Sequence, residues 1–113
     1  MRVELDIYSG QPNPCWDLDA IAARGLRQHC ERLPRVPGPA AAPPALGYRG
    51  FRWQDGAASW RAHAGEVSIG AAVYRDAERS VERYLLATLP PPFAPLRERV
   101  QAAIERGERS GPA

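Results

Sequence analysis

Lysine is missing altogether: all 15 basic residues of this 113-residue chain are arginine. That absence excludes Schiff-base lysine chemistry and a phosphate-loop lysine. With so much Ala, Pro and Gly alongside, nucleotide-composition bias in the source genome is the first explanation, ahead of selection for guanidinium chemistry. Long apolar runs are missing too. No stretch approaches the roughly 18 apolar positions that a membrane span needs, and Met1-Arg2 leads into polar-alternating sequence rather than an apolar signal core. The expected compartment is therefore the cytoplasm, with no membrane partner. Cysteine is scarce: Cys15 and Cys30 are too few for a disulfide scaffold, and a cytosol would keep them reduced. The net charge of +2 is too small to imply nucleic acid or an anionic membrane by itself.

What is present fits one globular domain over residues 1–107, with a frayed tail at 108–113. A chain of this length buries roughly 65% of the surface its unfolded form exposes, enough for a core without staples. The 12 prolines run at about twice the usual share, so loops should be prominent. Val3, Leu5 and Ile7 alternate with Arg2, Glu4, Asp6 and Tyr8, the period of a strand with one buried face. A stiff loop follows at once. Gly10 can take positive φ, while Pro12 and Pro14 fix their own φ and push Gln11 and Asn13 towards extended backbone.

Asp19 is a plausible N-cap for a helix from about Ala20 to Arg32, with Ala22, Leu26, His29, Cys30 and Leu33 at helical spacing. Gly25 weakens that helix and Pro34 stops it. Residues 34–47 are rich in Pro, Ala and Gly and should lie as an extended strap, docked by Val36 and Leu46. A second strand is expected at residues 48–53, closed by an Asp55-Gly56 turn, and two or three more between 59 and 75, with a bulge or turn at Ala64-Gly65 and a turn at Gly70. Asp76 can cap a helix carrying Val81, Tyr84 and Leu85, and a last helix should start near Pro95 and end at Gly107. The order β-α-strap-β-β-(β)-α-α implies an α+β domain, with a mainly antiparallel sheet of three to four strands and about three helices.

The opening Glu4-Leu-Asp-Ile-Tyr-Ser-Gly-Gln-Pro-Asn-Pro-Cys-Trp16 resembles a group of small microbial proteins that begin Glu-Leu-Asp-Ile/Val-Phe/Tyr-Ser-Gly-Arg-Pro-Asn-Pro-x-Trp. Leu46-Gly-Tyr-Arg-Gly-Phe51, Val73-Tyr-Arg-Asp76 and Glu82-Arg-Tyr-Leu-Leu86 look like later blocks of the same group, so the likeness touches about half the chain. Gln11 stands where that pattern has arginine. The resemblance implies a compact domain and brings no activity with it.

Asp6, Ser9, Gln11 and Asn13 stand in or beside the 9–16 loop, where polar groups on stiff backbone can orient a ligand. The plainer reading is a structural turn, with Ser9 and Asn13 satisfying local backbone and Trp16 plugging the core. Arg75 completes the expected ligand-binding set, placed near the loop at the end of the last strand. Cys15, His29, Cys30 and His63 are the only soft metal-ligand candidates, but they lack the paired spacing of a zinc site, so no metal or cofactor is expected. Arg49-Gly-Phe-Arg-Trp53 begins like a base-stacking RNA-recognition strand, yet Arg52 breaks the match, and a core face holding Arg49, Phe51 and Trp53 is the simpler explanation. For Glu78, Arg79, Glu82 and Arg83 a solvated helix face suffices.

The expected function is a non-catalytic binding or interaction domain for a protein or small molecule, acting through the 9–16 loop. One alternative is single-stranded nucleic-acid binding by residues 48–53. Another is a small enzyme whose site joins Asp6, Asn13, Arg75 and Asp76, an arrangement that needs these groups within about 10 Å of one another.

Overall fold

Alternation of apolar residues does place a strand at the start: β1 is Arg2–Leu5, and Val3, Leu5 and Ile7 are all buried. In this computed structural model, which describes residues 1–109 and only the backbone of Glu108 and Arg109, the chain then returns through the proline loop to form β2, Cys15–Asp17. Helix α1, Ala20–Glu31, follows, with the Asp19 carboxylate accepting the Ala22 N–H at 2.7 Å. Next come β3 (Arg35–Val36), β4 (Phe51–Asp55), β5 (Ala58–His63), β6 (Glu66–Ile69) and β7 (Ala72–Arg75). Helix α2 is Ser80–Ala87, a 3₁₀ turn occupies Pro91–Leu96, and α3 is Arg97–Arg109.

The strands form one antiparallel sheet of seven, in the order β2-β1-β4-β5-β6-β7-β3. This corrects the expected sheet of three to four strands; the α+β class stands. Two of the additional strands are the sheet's edges, β2 and β3. Strand β2 has three residues and β3 two, too short for an alternating pattern to emerge from the flanking prolines; β2 is defined by pairing back onto β1 across the proline loop, and β3 by pairing with distant β7. Helix α3 also continues through Gly107 instead of stopping there, and the tail beyond Arg109 lies outside the described residues.

Register divides the sheet into two faces. Directly paired residues share a face, so Leu5, Phe51, Ala62 and Val67 line one side in a row, with Val3, Trp16, Trp53 and Trp60 beside them. On this side Leu26 of α1, Val81 and Leu85 of α2, and Val100 and Ile104 of α3 join the same apolar cluster. Trp16 is 7% exposed; its ring meets Phe51 edge-on at 6.3 Å and its indole N–H donates to Thr88 Oγ1 at 2.9 Å. The opposite side carries Glu4, Cys15, Arg52, Arg61 and Ser68 in another paired row.

Three local features depart from the sequence reading. Gly25 is a contact point as well as a weak helix former: a Cβ there would lie 2.2 Å from the Tyr84 hydroxyl, which donates to Ala22 O at 2.8 Å and joins α2 to α1. In the strap, residues 37–46 are exposed and Leu46 is 74% exposed, so Leu46 is no anchor. The strap is tied instead by Val36 pairing with Val73 and by Ala41 N–H donating to Glu66 at 2.9 Å.

The third departure is at α2, where Arg79 and Glu82 are buried rather than solvated. Arg79 takes left-handed φ of 56°, lies over Gly65 and donates through Nε to Ile104 O at 3.2 Å. Glu82 accepts from the Tyr48 hydroxyl at 2.5 Å and from Gly65 N–H at 3.1 Å. Burial, then the Glu82 charge, pushes the Tyr48 phenol well above its ordinary range. Periodicity missed both residues because hydrophobic spacing counts any charged residue as surface, even one whose hydrogen bonds are satisfied in the core.

Candidate functional site

The polar face is built on β1. Glu4 projects from it opposite Arg52, and the Arg52 guanidinium bonds the Glu4 carboxylate. One residue past the strand, Asp6 donates its N–H to Gly50 O and its carbonyl accepts from Arg49 N–H, so two residues of the segment entering β4 oppose one. This bulge corrects the expected face of Arg49. Without it Arg49 would share the core side with Phe51; the extra residue turns it to the other side, where it reaches Asp6.

Asp6 is 5% exposed and collects arginines. Arg49 lies 2.9 Å and Arg61 3.3 Å from its carboxylate oxygens, with Arg52 at 3.9 Å. Burial alone would raise the Asp6 pKa, but the Arg49 hydrogen bond and the charges of Arg52, Arg49 and Arg61 outweigh it and hold the carboxyl below its usual range. Glu4 behaves likewise: burial pushes it up, and hydrogen bonds from Asn13 and Arg52 bring it down further. Both groups stay ionised at neutral pH, as charge pairing requires.

Asn13 ties the proline loop to this network. Its Oδ1 accepts the N–H groups of Ile7 at 3.1 Å and Tyr8 at 2.8 Å, while Nδ2 donates to Glu4 at 2.8 Å and Asp6 at 3.3 Å. Leu5 N–H adds a bond to Pro14 O at 2.9 Å. Above this base, residues 9–12 are exposed, and Gly10 turns the chain at φ of 82°. Neither Ser9 nor Gln11 makes a side-chain hydrogen bond among the described residues. Arg49 also donates to Tyr8 O, at the loop, and to Ala45 O at 2.8 Å, in the strap. One guanidinium thus joins the loop to the strap end that carries exposed Leu46.

Beside the network lies a cleft of about 470 Å³ lined by Arg2, Glu4, Cys15, Arg52, Trp53, Gln54, Ser59 and Trp60. Its walls come from β1, β2, β4 and β5 and mix polar and aromatic residues.

The structure therefore divides the expected ligand set. Asp6, Ser9, Gln11 and Asn13 are gathered at one end of β1, with Asp6 and Asn13 in the base and Ser9 and Gln11 at the tip. Arg75 is not with them: β7 stands four strands from β1, roughly 19 Å along the sheet. Asp76 is equally remote and is occupied by α2, accepting Ser80 N–H and Oγ–H at 3.0 Å and Val81 N–H at 2.8 Å. The four-residue cleft of the enzyme alternative is not assembled. Phe51 is fully buried and Trp53 5% exposed beneath the helices, which removes them as base-stacking platforms.

Cys15 is on β2, Cys30 and His29 are on α1, and His63 ends β5, where burial lowers its pKa and its ring meets Tyr48 at 5.6 Å. Among the described residues no three His, Cys, Asp or Glu side chains converge on a metal position. The sequence reading gave Arg49 and Arg61 no place in the site; their only signal was that an apolar-strand context held guanidinium groups in need of a carboxylate. No protein family, curated protein or solved structure significantly matches the chain.

Proposed function

We propose that the protein is a non-catalytic binding domain whose recognition surface is the tip of the β1–β2 loop, residues 9–12, with Leu46 beside it. The observation that supports this most is the division of labour around Asn13 and Arg49. The loop base is fastened by four hydrogen bonds from one amide and by a carboxylate shared among arginines, yet the tip they hold makes no comparable contact. Stiffness of that kind lowers the entropy lost when a partner docks. The tip offers Ser9 hydroxyl and Gln11 amide as hydrogen-bonding groups, and Leu46 as an apolar neighbour.

Catalysis is a poorer fit. The carboxylates at hand are held ionised by arginines, whereas a general acid or base works best with its pKa near the operating pH. The partner is a protein or a small molecule, and the compartment is the cytoplasm, in keeping with two unpaired thiols and no described helix long and apolar enough to cross a membrane. Kinship with the Ser-Gly-Arg-Pro-Asn-Pro signature group belongs to this proposal; the Asn13 and Pro14 that the two share lie in the braced base.

The test is affinity capture from the source cell with wild-type protein, a Ser9→Ala/Gln11→Ala variant and a distant Arg75→Ala control. A partner recovered by wild type and the control but lost with the tip variant supports the reading. Equal recovery by all three overturns it.

A further inference from the structure

A second site lies on the other side of the sheet and is independent of the loop. Helix α1 does not close fully over β4–β7: a cleft of about 320 Å³ opens between them, lined by Leu26, Cys30, Trp53, Trp60 and Tyr74, with Arg27, Glu31 and Asp55 at its edge. That volume is at the small end of the range for ligand sites, and the lining has their usual composition of aromatic walls and few polar groups. Trp53 and Trp60, paired across β4 and β5, stack with centroids 5.9 Å apart and planes 7° from parallel. Trp60 and Tyr74 are half-buried, so each presents part of its ring to the opening.

Two features select the occupant. The first is spacing. Trp60 and Tyr74 stand two strands apart and two residues out of register, Tyr74 being level with Ala62, so their backbones are roughly 12 Å apart. Both side chains line the cleft, so a group lodged between them is flanked by two aromatic rings, and a cation within about 6 Å of such a ring is attracted to its face. The second is charge. Arg27 is engaged with Asp55 by two bonds, Nε to Oδ2 at 2.8 Å and Nη2 to Oδ1 at 3.1 Å, whereas Glu31 makes no ion pair among the described residues. The charges that act on the Cys30 thiol inside the cleft are those of Asp76, Glu31 and Asp55, all acidic, and they add to burial in pushing it up to about 12. An anion would be repelled here, and a bare ammonium would keep its water; an alkylated ammonium combines positive charge with an apolar shell.

We propose that the cleft between α1 and β4–β7 binds an alkylated ammonium group, seated between Trp60 and Tyr74 with its charge towards Glu31. The group can belong to a free small molecule or to a methylated lysine, and the chemistry of the site is the same for both.

The experiment titrates the full chain with choline and with tetramethylammonium, read by tryptophan fluorescence and by the Trp60 indole resonance, at constant ionic strength. The comparator is 3,3-dimethylbutan-1-ol, the uncharged carbon analogue of choline. Saturable binding of the cations is expected, about tenfold or more tighter than the neutral analogue. Trp60→Leu should weaken choline about tenfold, and Glu31→Gln, an exposed change that leaves the thermal midpoint unaltered, about threefold. A further arm compares choline with a trimethyl-lysine peptide and its unmodified counterpart; tighter binding of either methylated ligand supports the site and identifies its source. Absence of saturable binding, equal affinity for the neutral analogue, or Glu31→Gln binding as wild type with Trp60→Leu folded and unaffected would overturn the proposal.

Discussion

Asp6 shows how much one side chain can organise. Its carboxylate is almost fully removed from solvent, so its stability depends on Arg49 and Arg61 remaining in place, and theirs on it. Because its folded pKa is depressed, the stabilisation is present at pH values above the unfolded carboxyl pKa and is lost as pH falls through the folded one. Asp6→Asn should therefore cost about 2–4 kcal/mol at pH 7, since it leaves guanidinium groups without their partner. It should also flatten the loss of stability below about pH 4. Denaturant melts of both proteins over that acid range check this; parallel curves would show that another carboxylate governs the acid limb. Asn13 is the second such residue. Sequence reasoning offered it as a loop residue that satisfies local backbone, and the Ile7 and Tyr8 N–H groups do bond to it; its further bonds across the hairpin to the Glu4 and Asp6 carboxylates cannot be inferred from a turn-forming residue type.

At the level of elements, legibility followed the strength of the local pattern. Strand β1 and helix α1 were evident, the first from strict alternation and the second from an Asp19 cap and the Pro34 stop. Between β5 and β6 the sequence left a bulge and a turn both open at Ala64-Gly65; the two residues adopt left-handed backbone in a two-residue turn. What escaped was set by tertiary pairing: β2 and β3 at the edges, the bulge at Arg49 and Gly50, and the buried charges on α2. Gly25 is a further instance, since propensity alone says that alanine would improve α1 by about 1 kcal/mol. The Tyr84 hydroxyl fills that space, so Gly25→Ala should instead lower stability by about 1–2 kcal/mol, through displacement of the ring and loss of its bond to Ala22. Thermal melts decide the sign, and stabilisation by the alanine would show that α1 and α2 are less closely joined.

Across the whole molecule, the sheet separates two kinds of order. One face is an apolar core shared by all three helices; the other is a charged lattice running from Glu4 through Arg52 to Arg61, with Asp6 and Asn13 at its end. The proline loop rises from that lattice, which is why a segment of nine residues between β1 and β2 can be stiff at its base while its tip is exposed. The reading of the loop as a recognition element depends on that stiffness. Amide hydrogen exchange measures it residue by residue. In the wild type, the Ile7 and Tyr8 amides should be protected to within about tenfold of the Leu5 amide, and Asn13→Ala should release those two while leaving the Leu26 and Leu85 amides unchanged. Ile7 and Tyr8 exchanging in the wild type as fast as the exposed strap at residues 39–46 would contradict a loop held rigid for binding.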